Sequence, residues 1–547
     1  MNLRRVFSTA MAAVLLLPTL TLLSGCKGGK DEIILRIYNW EEYIDEGGEG
    51  AFIYDELHDE KGNLIESDIL GENFFRWYEE TTGADFDDEG PSVLDDFELW
   101  YEKTYKTPIH VEYSTFGTNE DMYNEIVLGN KYDLLCPSDY MIMKLAAEGR
   151  LETYDESFFD ESDPNNYYIR NVSPYIRGIF ETNAGLVSEY NWSEYAAGDM
   201  WGTTGFVYNP EYVDVSDLEE LGWKAFTSEK YTNKITAKDN VRDTYFAALG
   251  LTYQDELLSL DPTAADYRTR LTEIFNKTDE ATIAEVEPLL MELKSNIYSF
   301  ETDTGKADMV SGKIWLNYAW SGDAVYALDL AETTDDEGSV QLNYYVPEAG
   351  SNLYFDGWVM PKGANKQAAQ AFVNFMSMPY NAMRNSYYIG YTSVISGENF
   401  EMLDYTDYLY GLDEDEADLE YDLTYFFLGE NYDGEERVTI FAEEAQATSR
   451  QLYAQFPPAE VIARCAVMDY YDADTNTRIN ELWSRVKAET LDAWAIAVIC
   501  VAVAVIALFI VFVKFGSKID FFRTKPKKGY ELVKQEQVTF TGAKARK

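Results

Sequence analysis

From Ile33 onward, apolar strand-like runs alternate with stretches whose apolar residues recur at helical spacing, and this alternation constrains the fold more than any single motif. IILRIYNW reads as a strand. VLDDFELWYEKTY reads as a helix, which Pro108 separates from a second strand, IHVEYSTF. NEDMYNEIVLGN then reads as a helix, KYDLLCP as a strand ending in a turn, and the residues after it as a further helix. Strand, helix, strand, helix predicts a parallel sheet covered on both faces. WGTTGFVYN and IWLNYAW add strands, QAAQAFVNFMSM adds a helix, and ELWSRVKAE closes the globular part.

A chain of 547 residues, 46% of them hydrophobic, can bury a large core and divide into two or more domains. Its net charge of −53 lies between the ends, because residues 514–547 are themselves basic. A body this acidic repels nucleic acid and steers cations toward it, although a surface tuned for solubility would look the same. Both ends carry membrane signals. Residues 1–25 join Arg4 and Arg5 to an apolar run and end in LSGC, which resembles a bacterial lipobox; they predict a lipoprotein signal peptide with lipidation at Cys26. Residues 494–513, WAIAVICVAVAVIALFIVFV, are uncharged and long enough to cross a bilayer as a helix. Lys514, Lys518 and Arg523 follow, so the positive-inside rule predicts a basic cytoplasmic tail at 514–547 and a body outside the cytoplasm. Cys136 and Cys465 could pair in an oxidising compartment, but their apolar contexts favour two buried thiols.

In open parallel sheets, ligands bind where loops converge past the carboxyl ends of strands. Trp40, Glu41, Glu42 and Tyr43 follow the first strand, and Ser138, Asp139 and Tyr140 follow KYDLLCP. Trp201 and Thr203 lie in DMWGTTGF, and Trp320, Ser321 and Asp323 close NYAW. YFDGW contributes Tyr354, Phe355 and Asp356, and YYIGYTSV contributes Tyr391. These loops repeatedly set an aromatic beside an acid or hydroxyl and carry almost no Lys or Arg. Rings with carboxylates describe a site for an organic cation. A ring face attracts an ammonium by roughly 0.5 to 2 kcal/mol, and a charge-assisted hydrogen bond to a carboxylate contributes about 1.5 to 3 kcal/mol. Carboxylates at both ends of an aromatic slot would read a linear diamine or triamine by its length. Any one of these residues could equally be a core aromatic or a helix-capping acid; their recurrence at several strand ends points to a site.

The stretches NWEEYI, VEYSTFGTNEDMYNEIVLGNKYDLLCPSDYM, MWGTTGFVYNP, AWSGDAV, FDGWVMPKGA and YYIGYTS carry a resemblance to the spermidine/putrescine-binding lipoproteins of bacterial polyamine ABC transporters. That resemblance implies an α/β fold of two lobes, type II periplasmic-binding-protein-like, which closes around a ligand in the cleft. Lobe 1 would comprise residues 26–202 with 354–400, interrupted by an acidic insertion at 45–91; lobe 2 would comprise 203–353 with 401–490. Carried over by motif, the resemblance implies polyamine-binding roles for Trp40, Glu42, Tyr43, Ser138, Tyr140, Asp243, Trp320, Tyr354, Asp356 and Tyr391. Asn240 stands where relatives have the first acid of a pair whose second is Asp243, and Tyr354 where they often have a Trp. Glu41 would partly replace the missing charge, and Asp469 matches a polar contact on a loose alignment. Implied partners are a polyamine, the permease and ATPase subunits of a transporter, and the membrane through Cys26 and residues 494–513. No cofactor, nucleic acid or enzymatic activity is implied.

Other classes have weaker signals. No GxSxG, HExxH, GxGxxG or P-loop is present, and His58 and His110 supply histidine chemistry poorly. A secreted enzyme built on two carboxylates remains open in a chain with 97 acids. Asp472, Asp474 and Asn476 suggest a calcium loop, but Thr477 and Trp483 take its turn-glycine and bidentate-acid positions. Tyr344–Tyr345 and Tyr387–Tyr388 raise a ferric-ion alternative on the same fold. A tethered ligand sensor is a further class, with a tail too short for a signalling domain.

Overall fold

The computed structural model describes residues 32–47, 92–182, 194–333 and 340–488. The chain divides into two compact units, Met1–Val486 and Lys487–Lys547, and the first holds the sheet. The expected signal peptide, Cys26, nearly all of the acidic insertion, the apolar run 494–513 and the basic tail lie outside the described residues. Among the described residues, no helix is long and apolar enough to cross a membrane.

The elements that place the site are, in chain order, β1 (Ile33–Trp40), α1 (Val93–Tyr105), β2 (Ile109–Phe116), α2 (Asn119–Leu128), β3 (Leu134–Leu135), α3 (Asp139–Ala147), β4 (Ala196–Tyr208), β5 (Ile235–Lys238), α4 (Val241–Thr252), β6 (Ser299–Glu301), α5 (Thr304–Val310), β7 (Leu316–Trp320), α6 (Ser321–Thr333), β8 (Asn343–Tyr345), β9 (Ser351–Pro361), α7 (Lys366–Met376), α8 (Pro379–Ile389), β10 (Thr392–Ser393) and α9 (Ala473–Lys487). Local chemistry sets the helix ends. Ser92 caps α1 by accepting from the Asp95 N–H, Thr118 caps α2 by accepting from the Asp121 N–H, and Gly129 ends α2 in the left-handed conformation that favours glycine.

The main path of the sheet runs β2-β1-β3-β9-β4-β7-β5-β6. β1 pairs in parallel with β2 and β3, and β5 pairs in parallel with β6 and β7. Between these two parallel groups, β4 and β9 run antiparallel to each other. β4 is 13 residues long and buried throughout; Ala196–Thr203 pairs with β9, and Thr204–Tyr208 pairs with β7. One long strand therefore belongs to both halves, and the result is a two-lobed α/β fold. The expected lobe boundaries at 202/203 and 353/354 fall inside β4 and β9.

Two sequence expectations change. KYDLLCP supplies only the two-residue strand β3, because the chain turns at Pro137 to accept from the Gly357 N–H and start α3. Asp45, expected to open the acidic insertion, is fully buried and paired with Arg384 of α8 at 2.7 Å. Cys136 and Cys465 are both buried and free, as their contexts suggested.

Candidate ligand-binding site

The chain leaves β1 through Glu42, whose φ of 52° is left-handed, a conformation that costs a non-glycine residue about 1 to 2 kcal/mol. The next residue, Tyr43, is buried and donates its hydroxyl to Asp356 Oδ2 at 2.6 Å. Asp356 sits where the β9–β4 register slips between Phe355 and Gly357; such a bulge re-aims a side chain and is common beside binding sites. Asp139, at the start of α3, holds the bulge by accepting the Phe355 N–H at 3.2 Å. Ser138 bridges to Asp356 through its backbone.

Tyr43, Met200, Tyr354, Ile389 and Tyr391 form a small cluster separate from the main core, with Trp40, Trp320 and Tyr388 packed at its border. Tyr43 meets Tyr391 edge-on at 4.7 Å between ring centroids. Three buried acids adjoin these rings. Asp356 Oδ1 meets no donor with hydrogen-bond geometry, and burial pushes its pKa up to about 6 against the nearby hydroxyls of Tyr43 and Ser138. Asp243, in the first turn of α4, accepts from Trp320 Nε1 at 3.2 Å. Burial raises it to about 6 as well; the Trp320 bond, Lys238 and Arg242 hold that rise back, and the charge of Asp356 adds to it. Asp323, in the first turn of α6, behaves oppositely. Burial would raise it, but Lys306 and Lys238, with hydrogen bonds from Lys238 and Tyr391, carry it below the usual carboxylate value.

The near-absence of cations expected from the loop sequences is incorrect. Lys238 ends β5, with Nζ 3.0 Å from Asp323 and 4.1 Å from the centroid of the Trp320 ring. Lys306 on α5 pairs with Glu42 at 2.9 Å. Arg242 lies between the rings of Tyr140 and Tyr471, at 4.1 and 3.5 Å, and donates to the Asp469 carbonyl. The same strand-end survey applied to ITAK would have found Lys238. Lys306 comes from a helix whose approach to Glu42 only the tertiary fold reveals.

The sequence-derived residues therefore separate into groups. Trp40, Tyr43, Trp320, Tyr354, Tyr391, Asp243 and Asp356 converge on the ring cluster, with Ser138 beside Asp356. Tyr140 stands next to it, its hydroxyl bonded to Asn119 at 2.9 Å and its ring against Arg242. Glu42 is at the rim, and Glu41 is exposed. Asn240 caps α4 by accepting from the Arg242 N–H at 2.7 Å, so its side chain has a local task. The Asp469 carboxylate accepts from its neighbour Tyr470 N–H at 2.8 Å. Asp472 accepts from the Thr475 N–H at the start of α9, which accounts for that acid as a helix cap, and no cluster of potential metal ligands occurs among the described residues. Tyr344 is fully buried and donates to the Thr203 carbonyl at 3.0 Å.

Residues 92–399 match the model of the bacterial extracellular solute-binding protein family. With more than half of the chain matched, the protein belongs to that family. Over 305 residues it is 25% identical to the spermidine/putrescine-binding periplasmic protein of Salmonella typhimurium, covering 55% of this chain and 73% of that one. It is likewise 25% identical over 291 residues to a putrescine-binding periplasmic protein of Pseudomonas aeruginosa, covering 53% and 71%. A solved Listeria monocytogenes protein named for spermidine/putrescine ABC transport superposes with a TM-score of 0.51 at 22% identity, covering 83% of this chain and 98% of that one; this likeness concerns the fold.

Proposed function

We propose that the protein is the extracytoplasmic receptor of an ABC transporter, capturing a polyamine of the spermidine/putrescine class and delivering it to the permease. It binds and releases without covalent chemistry. One observation carries the reading: Asp356 and Asp243 are buried beside one aromatic cluster, and among the described residues neither makes an ion pair. A buried carboxylate outside any ion pair is expensive; Lys238 and Arg242 ease Asp243 without pairing with it, and an ammonium from a ligand would supply the direct counter-charge. The cations that reach the cleft already face protein acids or rings, so an anionic ligand gains little there. Trp40, Trp320 and Tyr354 would line the methylene chain, while Tyr43, Ser138, Tyr140 and Tyr391 hold the acids and rings in place. The names of the Salmonella and Pseudomonas relatives support the same class of ligand.

Capture would proceed through an acidic funnel, followed by closure of the lobes about hinges at 202/203 and 353/354. Lipidation at Cys26 and a membrane-spanning helix at 494–513 would hold the receptor beside its permease.

Calorimetric titration of the full-length chain in high salt, with putrescine, spermidine, a neutral sugar and ferric citrate, tests this. Saturable one-to-one polyamine binding that weakens by roughly 10- to 150-fold in Asp356→Asn is expected. Saturation by the sugar or ferric citrate in place of the amines would overturn the ligand assignment.

A further inference from the structure

We infer that Lys306 acts as a resident third ammonium that limits the ligand to two amines. The inference deepens the polyamine reading and rests on it. Lys306 Nζ lies 2.9 Å from Glu42, 3.5 Å from Asp323 and 3.7 Å from Asp303, and 5.1 Å from the centroid of the Tyr326 ring. Its side chain is 11% exposed. Three carboxylates and a ring form the same kind of cage that Asp356, Asp243 and their aromatics form deeper in the cleft. The outer cage is already filled by the chain itself.

The neighbouring contacts show that this arrangement is built in. Asp323 also receives Lys238 on Oδ2 at 3.0 Å and the Tyr391 hydroxyl on Oδ1 at 3.1 Å. Glu42 follows β1 in one half of the sheet, and Lys306 belongs to α5 in the other, so the pair ties the two halves at the rim. Asp356 and Asp243 make no ion pair among the described residues, so each is left to take one ammonium of a linear diamine. A third ammonium would then compete with Lys306 for the outer carboxylates. A tethered group competes at an effective concentration on the order of millimolar, so a free amine at micromolar concentration gains nothing from that third contact.

The test compares putrescine and spermidine binding to the full-length wild type, Lys306→Gln and Lys306→Arg at one salt concentration. Wild type is expected to bind putrescine at least as tightly as spermidine. Lys306→Gln opens the outer cage, and the affinity ratio shifts toward spermidine by about tenfold, equivalent to about 1.4 kcal/mol. Lys306→Arg keeps the charge and the wild-type ratio. Lys306→Met, checked by its unliganded melting temperature, is a second neutral variant expected to act as Lys306→Gln does. A wild type that prefers spermidine tenfold, or a ratio unmoved in both neutral variants, overturns the role of Lys306 while leaving the polyamine reading intact. Absence of any amine binding by the wild type removes both.

Discussion

Tyr43 and Asp356 stand 313 residues apart in sequence and share a hydrogen bond of 2.6 Å. The bond joins the loop after β1 to the bulge in β9, and it uses one carboxylate oxygen while leaving the other without a donor. Tyr43 holds Asp356 in place, and burial pushes its pKa up to about 6, so an ammonium from a ligand would relieve the desolvation of its carboxylate.

Replacing Asp356 with Asn removes the charge while keeping the size. Loss of a charge-assisted contact of about 1.5 to 3 kcal/mol weakens polyamine binding by roughly 10- to 150-fold. The unliganded protein should be no less stable, because a desolvated carboxylate has been removed. Calorimetric affinity and a thermal melt measure the two effects; a variant that binds normally would exclude Asp356 from the site.

Acidity separates folding from binding. Asp356 and Asp243 are both pushed to about 6 in the folded protein, above the ordinary carboxylate value, so the native state binds protons more tightly than the unfolded chain between about pH 4 and 6. Their contribution to the unliganded protein is favourable at the acid side of that window and is lost as pH rises through 6. It amounts to no more than about 3 kcal/mol per acid, and the two titrate as a coupled pair. Binding has the opposite sign, since an ammonium needs the carboxylate form. Polyamine affinity should fall by about tenfold or more from pH 7.5 to pH 5 and protons should be released on binding near pH 6. A pH-independent affinity accompanied by no proton release would contradict this.

The alternation of apolar periods made the parallel sheet and its covering helices legible, and the strand-end rule picked out Trp40, Tyr43, Ser138 and Trp320, whereas Asp356 lies at a bulge inside β9. Strand ends are local, and the pleat delivers their side chains to one edge. The pairings across the cleft were not legible. Nothing in TGKADM distinguishes Lys306 from a solvated helix lysine until α5 is docked against the loop that carries Glu42. Likewise, Asn240 looked like a lost ligand acid, but its position before VRD is also a favoured helix-cap position, and the cap is what it forms. Asp45 followed an apolar run and preceded an acidic one, and charge pattern alone gave no sign of its buried pairing with Arg384.

Gly322, at the start of α6, sits where any Cβ would overlap the Tyr391 ring. Gly322→Ala must displace either the ring or the helix start, and Tyr391 is the residue that donates to Asp323 at 3.1 Å. Overpacking of this kind costs about 1 to 3 kcal/mol. The variant should melt at a lower temperature and bind polyamine more weakly than wild type. Restoring the melting temperature by Tyr391→Ala in the same chain, while binding stays weak, would separate the steric cost from the loss of the ring.

The loop that carries Tyr43 is anchored from below by a buried charge cluster. Arg384 of α8 donates to Asp45 at 2.7 Å and also to Asp96 of α1, and all three side chains are at most 3% exposed. Removing the cation alone strands two carboxylates, which typically costs about 3 to 5 kcal/mol. Arg384→Met should therefore be strongly destabilised, whereas Asp45→Asn/Asp96→Asn/Arg384→Met, which removes the charges together, should recover part of the loss. Because Asp45 lies two residues beyond Tyr43, the triple variant should still bind polyamine less tightly than wild type even where its stability is restored. Denaturant unfolding and calorimetry on the same preparations distinguish the two effects; equal stability of the single and triple variants would show that charge stranding is not what the cluster prevents.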